Sequence, residues 1–124
     1  MPRDFRDLNI WKEGYVLLLE VYRATESFPT EERFGLRSQL RRSANSVIAN
    51  IAEGWGRRYP KEKIRPLSIA QGEISETVSH LSVAAGLGYV PQEEANRLAK
   101  RYSGLSVGVE RYMNSLKIQQ KAAI

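Results

Sequence analysis

Cysteine is absent from the 124 residues of this chain. Its absence excludes disulfides, thiolate nucleophiles and every metal centre built on sulfur, and it fits a reducing compartment. Histidine is almost as scarce. His80 stands alone, so no histidine-rich metal centre can form within one chain. The longest aliphatic run, Val16 to Leu19, is far shorter than a membrane span. The opening MPRDFRDLNIW has no extended apolar segment of the kind a secretion signal needs, so the cytoplasm is the expected location.

Catalytic constellations are missing as well. A Ser/His/Asp triad would have to use His80, and no serine sits in a strained nucleophile turn. Glu73 and Glu76 stand three apart but precede Thr77 and Ser79. A ferritin-like metal site needs paired Glu-x-x-His ligands and glutamates on all four helices. The run GWGRR from Gly54 to Arg58 lacks the lysine-serine ending and the preceding strand of a phosphate-binding loop. These absences predict a protein that is not an enzyme and takes no metal or cofactor.

What is present is apolar periodicity. The length suits a single domain over 1–124, and 42% hydrophobic residues suffice for one core. Residues 1–8 read as a short lead. Trp11, Tyr15, Leu18, Tyr22 and Thr25 recur at helical spacing between Asn9 and Ser27, with Asp7 or Asn9 as the cap and Pro29 as the stop. Val16 to Leu19 and Val21 widen that stripe beyond what one neighbour needs. A second helix spans Arg33 to Trp55 on Leu36, Leu40, Ser43, Val47, Asn50 and Gly54, with Gly54 and Gly56 ending it. A buried Asn50 would bond to a neighbouring backbone.

The third helix covers Lys61 to Leu87 along Leu67, Ala70, Ile74, Val78, Leu81 and Ala85, and Gly88 terminates it. Pro60 suits the first turn, whereas Pro66 predicts either a kink or a start near Ile64. Pro91 opens the fourth, on which Leu98, Tyr102, Leu105, Val109, Tyr112 and Leu116 form a heptad-like seam. Residues 119–124 are expected to fray. Short connections make sequential neighbours antiparallel, so the fold class is all-α, an up-and-down four-helix bundle.

More faces are marked than one core requires. Gly72, Ser75, Ser79, Ser82 and Gly86 draw a line of small residues on the third helix, and Gly104 and Gly108 lie one turn apart on the fourth. Helical glycine costs ~1 kcal/mol against alanine, so several of them imply a close approach somewhere. Tight packing inside the monomer and a subunit interface both remain open. With the wide stripe of the first helix added, self-association is the expectation.

The charge is equally uneven. The chain carries 19 basic and 14 acidic residues, yet only Glu53 and Glu62 oppose the basic side chains between residues 33 and 65. Arg33, Arg37, Arg41 and Arg42 mark one edge of the second helix, while Arg57, Arg58, Lys61, Lys63 and Arg65 form a basic hinge. Such arginines grip phosphate, and Trp55 or Tyr59 offer rings to a base. The two clusters stand ~30 Å apart along a helix rising 1.5 Å per residue. RNA or DNA bound by charge and shape is one predicted partner; an acidic protein is the competing one.

The order of short motifs adds a resemblance. Phe5-Arg6-Asp7-Leu8, Trp11-Lys12, Phe28-Pro29, Gly35-Leu36, Gln39-Leu40-Arg41-Arg42 and Asn50-Ile51-Ala52-Glu53-Gly54 are followed by Ile69-Ala70-Gln71-Gly72, Glu76 and Leu87-Gly88-Tyr89. Together, over residues 4–117, the chain resembles the bacterial proteins encoded in intervening sequences of 23S ribosomal RNA genes, also labelled the S23 ribosomal protein family. The resemblance implies a four-helix bundle, commonly a ring of five. A similar accessory protein of diversity-generating retroelements binds nucleic acid and partners a reverse transcriptase. No active-site residue carries over. Pro66 departs from the pattern, which commonly has a large aromatic there.

Overall fold

The computed structural model describes residues 2–122. Four helices run Asn9–Thr25 (α1), Leu36–Gly56 (α2), Pro60–Gly86 (α3) and Gln92–Ala122 (α4). Each packs on its sequence neighbours, and α4 closes the bundle against α1. Ser43 faces Thr77 across α2 and α3, Gln71 faces Ser106 across α3 and α4, and Glu20 faces Arg97 across α4 and α1. These pairings fix the antiparallel, up-and-down order. Among the described residues there is no strand.

The helix ends differ from the sequence expectation in ways that expose their chemistry. No side chain caps α1, whose N-cap is Leu8. Asp4 instead caps a 3-10 turn over Phe5–Asp7, accepting the Arg6 amide at 2.8 Å, so the expected lead is partly ordered. α1 stops at Thr25, short of Ser27. α2 starts at Leu36 rather than Arg33, because Thr30–Glu32 forms its own 3-10 turn and Glu32 accepts the Leu36 amide at 3.0 Å. α3 runs unbroken from Pro60 through a buried Pro66, with no fresh start at Ile64. The amide that proline lacks would have bonded to a carbonyl in the first turn, so one bond is lost near an end.

Gly88 closes α3 as expected, at φ 80°. Its amide reaches Ala85 O at 3.0 Å and the Tyr89 amide reaches Ala84 O at 2.9 Å, which satisfies two otherwise free carbonyls. α4 begins one residue after Pro91 and continues past the start of the expected fray to Ala122, with residues 117–122 exposed. Residues 123–124 of that expected tail lie outside the described residues.

The core holds Leu17, Val21, Leu40, Val47, Ile51, Leu67, Leu81, Leu98, Tyr102 and Val109, all essentially inaccessible. The rotation of each helix corrects several expected positions. Tyr15 and Tyr22 point outward, 43% and 41% exposed, and Gly14, Leu17 and Val21 take the inward face. Thr77, Ala84 and Met113 are buried where Val78, Ala85 and Tyr112 are only half-buried. The cause is close packing. A Cβ on Gly14 would lie 2.6 Å from Ile48 Cγ2, and one on Gly54 would lie 3.0 Å from Leu67 Cγ. Gly54 is therefore a packing glycine inside α2, not its terminator. Asn50 is half-buried and bonds within its own helix, to Ser46 O at 2.9 Å, rather than to a neighbour.

Candidate nucleic-acid interface

The arginines of the α2 start converge on one groove of about 430 Å³, shared with Tyr22, Phe34, Ser38 and Asn45. Their duties divide. Arg41 Nε donates to Thr25 Oγ1 at 2.8 Å and Nη2 donates to Tyr22 O at 3.2 Å. Its guanidinium also lies 4.3 Å from the Tyr22 ring centroid. A cation against the carbonyl end of α1 is favourable there, so Arg41 fastens α2 to α1. Arg42 pairs across α3 with Glu76 and, at 3.4 Å, with Glu73.

Arg33 and Arg37 form no ion pair among the described residues. Beside them Phe34 is 85% exposed, with the Arg33 guanidinium 5.2 Å from its ring. Sequence reasoning overlooked Phe34 because it belongs to no stripe. Its signal was a lone aromatic between an arginine and a glycine in a polar connection.

The hinge cluster is more self-contained. Arg57 pairs with Glu53 at 2.9 Å. Lys63 Nζ donates to Trp55 O at 2.6 Å and Gly54 O at 3.3 Å, capping the carbonyl end of α2. Partial burial lowers the Lys63 pKa. Its ammonium lies 5.6 Å from the Trp55 ring centroid, and Trp55 is half-buried. Arg58 lies over the exposed Tyr59 ring at 5.4 Å. Lys61 and Arg65 share a depression of about 400 Å³ with Glu53 and Glu62, so acidic groups interrupt the positive surface. The full length of α2 separates this cluster from Arg37, some ~30 Å.

The small-residue line is also resolved. Gly72, Ser75, Ser79, Ser82 and Gly86 are exposed. A Cβ on Gly72, Gly86 or Gly104 would meet nothing within 4 Å, so no helix of the same chain uses that space. Gly108 is different. Its Cβ would lie 2.9 Å from Ile10 Cγ2, which assigns it to α1–α4 packing within the subunit. A shallow groove of about 580 Å³ between α3 and α4 includes Ser75, Val78, Ser103 and Val107. Val83, Leu87 and Val107 are exposed, as are Tyr15, Val16, Leu19 and Tyr22 on α1.

His80 Nε2 is buried without a hydrogen bond, 3.9 Å from a Glu76 oxygen. Among the described residues no three acidic, histidine or cysteine side chains are grouped to hold a metal ion. No helix there is long and apolar enough to cross a membrane.

The family described as 23S rRNA-intervening sequence protein matches residues 6–109. The fold is similar to the crystal structure of a protein with unknown function from the S23 ribosomal protein family of Bacteroides thetaiotaomicron VPI-5482. That likeness has a TM-score of 0.77 at 18% identity and covers 84% of this chain and 97% of the other. Comparison with curated proteins gives no match.

Proposed function

This chain belongs to the 23S rRNA-intervening sequence protein family, and from that premise we propose a non-enzymatic, self-associating helical scaffold of the cytoplasm that binds structured RNA or DNA through its basic surface. The observation that carries the binding is the contrast among arginines. Arg41 and Arg42 are engaged within the subunit, whereas Arg33 and Arg37 share their groove with no carboxylate partner. Desolvating an engaged arginine against phosphate breaks one interaction to make another; an unengaged one gives the full gain.

Self-association is supported by the open space over Gly72, Gly86 and Gly104 and by the exposed apolar groups beside it. A five-membered ring, which the resemblance implies, is the proposed assembly. Light scattering on the purified chain tests it against the 14.1 kDa subunit mass; a particle of that mass alone would refute assembly. For binding, structured RNA and DNA are titrated over a range of salt. Arg33→Ala and Arg37→Ala are each expected to reduce the salt slope by about one. No retention at low salt by folded protein would refute the binding and leave an adaptor for an acidic protein as the surviving reading.

A further inference from the structure

Phe34 is the feature that electrostatics leaves unexplained. The ring is 85% exposed and contributes almost nothing to the core. It is nonetheless held on a firmly built turn. Glu32 accepts the Leu36 amide through one carboxylate oxygen at 3.0 Å and the Tyr89 hydroxyl through the other at 3.0 Å. The hydrogen bond from Tyr89 raises that phenol's pKa, because the neighbouring carboxylate opposes its ionisation. The Arg33 amide bonds to Thr30 O at 3.1 Å and the Gly35 amide to Glu32 O at 3.1 Å. A Cβ on Gly35 would lie 2.7 Å from Glu32 Oε1, so a side chain there would displace the oxygen that caps α2. A large apolar ring is thus displayed to solvent by a preorganised backbone, in a groove it shares with Arg33 and Arg37, which have no carboxylate partners among the described residues.

We propose that this groove binds an unpaired segment of RNA, with one base stacked on Phe34 and the flanking phosphates held by Arg33 and Arg37. This rests on the nucleic-acid reading above and specifies its ligand. The charge complementarity is direct. Two cations that share one groove with an exposed phenyl ring match the alternation of phosphate and base along a strand. Inside a duplex the base faces are covered by their neighbours, so a stacking ring has no use for paired nucleic acid. Ser38 and Asn45 line the same groove, and neither side chain has an intramolecular hydrogen bond among the described residues. A ribose 2′-hydroxyl, both donor and acceptor, complements them where deoxyribose does not.

The test uses the full chain and fluorescence anisotropy with three probes of one base sequence: unpaired RNA, the same RNA annealed to its complement, and unpaired DNA. Circular dichroism first establishes that each variant keeps its helix content, which substitution of so exposed a ring should not disturb. Phe34→Ala is expected to weaken unpaired RNA roughly 10- to 100-fold, the range of a lost base–aromatic stack, and to leave the duplex unchanged. Phe34→Trp should retain binding and lose indole emission as a base stacks on it. The Arg33→Ala/Arg37→Ala double variant should weaken all three probes.

An equal effect of Phe34→Ala on duplex and unpaired RNA, or no effect on either, would overturn the stacking while the arginine result stood. Equal affinity for unpaired DNA would overturn the assignment to RNA. If wild-type protein binds none of the probes, the underlying nucleic-acid reading fails with it.

Discussion

Two fully buried hydroxyls in this bundle should respond to deletion with opposite signs. Thr25 and Tyr102 both have no accessible surface. Thr25 Oγ1 donates to Val21 O at 2.8 Å and accepts from Arg41 Nε at 2.8 Å. Tyr102 Oη has no hydrogen-bond partner among the described residues. Burial raises the Tyr102 pKa, with the Glu20 charge adding to it, so the neutral phenol is the form that persists. An unpaired hydroxyl in an apolar site costs roughly 1–3 kcal/mol. Tyr102→Phe removes that penalty and little packing volume, so stability should rise by about 1 kcal/mol. Thr25→Val keeps the branched shape but leaves Arg41 Nε without its buried acceptor, while Nη2 keeps Tyr22 O, and hydrogen bonds to charged groups contribute about 1.5–3 kcal/mol. A loss of about 2 kcal/mol is expected there. Urea titration followed by far-UV circular dichroism reads both through the transition midpoint at constant m-value. Two changes of the same sign would refute the claim that partner satisfaction decides the outcome, and a destabilised Tyr102→Phe would show the phenol hydroxyl to be bonded.

Three other outcomes follow from separate parts of the fold. Gly14→Ala places a methyl 2.6 Å from Ile48 Cγ2, a β-branched atom that cannot swing aside. Overpacking of ~1–3 kcal/mol should exceed the ~1 kcal/mol of helix propensity gained, so a Gly14→Ala chain more stable than wild type in urea would contradict this packing. Gly88→Ala forces a side chain to φ 80°. It should cost about 1–2 kcal/mol, and an unchanged melting midpoint would speak against the left-handed closure of α3. Asp4 has its pKa lowered to about 2 by the Arg6 side chain and amide. Because the folded value lies below the ordinary one, this interaction is fully present above about pH 4 and is lost as the pH falls toward 2. Carboxyl-carbon NMR of Asp4 titrating near pH 4 would remove the cap from the 3-10 turn.

Four helices, their order and their antiparallel packing were readable from residue pattern alone. Apolar spacing of three and four, Pro29 and Pro91 as barriers, and Gly88 as a stop are local signals that few other structures satisfy. Membership of the family was readable in the same way, because Gln39 to Arg42 and Asn50 to Gly54 occur in order with the other short motifs. Rotation of the helices was not. Tyr15 and Leu17 both fit an apolar stripe, and what turned Leu17 inward was the close approach of Ile48 to Gly14, a contact between residues far apart in sequence.

The basic surface divided along the same line. Composition placed arginines near α2 but could not distinguish Arg41, whose nitrogen meets Thr25 on another helix, from Arg37, which has no ion-pair partner among the described residues. Likewise Gly104 and Gly108 look equivalent in the chain, yet one faces open space and the other touches Ile10. Local pattern fixes where a helix begins and how its faces differ in polarity, since those depend on neighbours within a turn or two. Which side chains remain available to another molecule depends on distances across the bundle, and those exist only after the helices have packed.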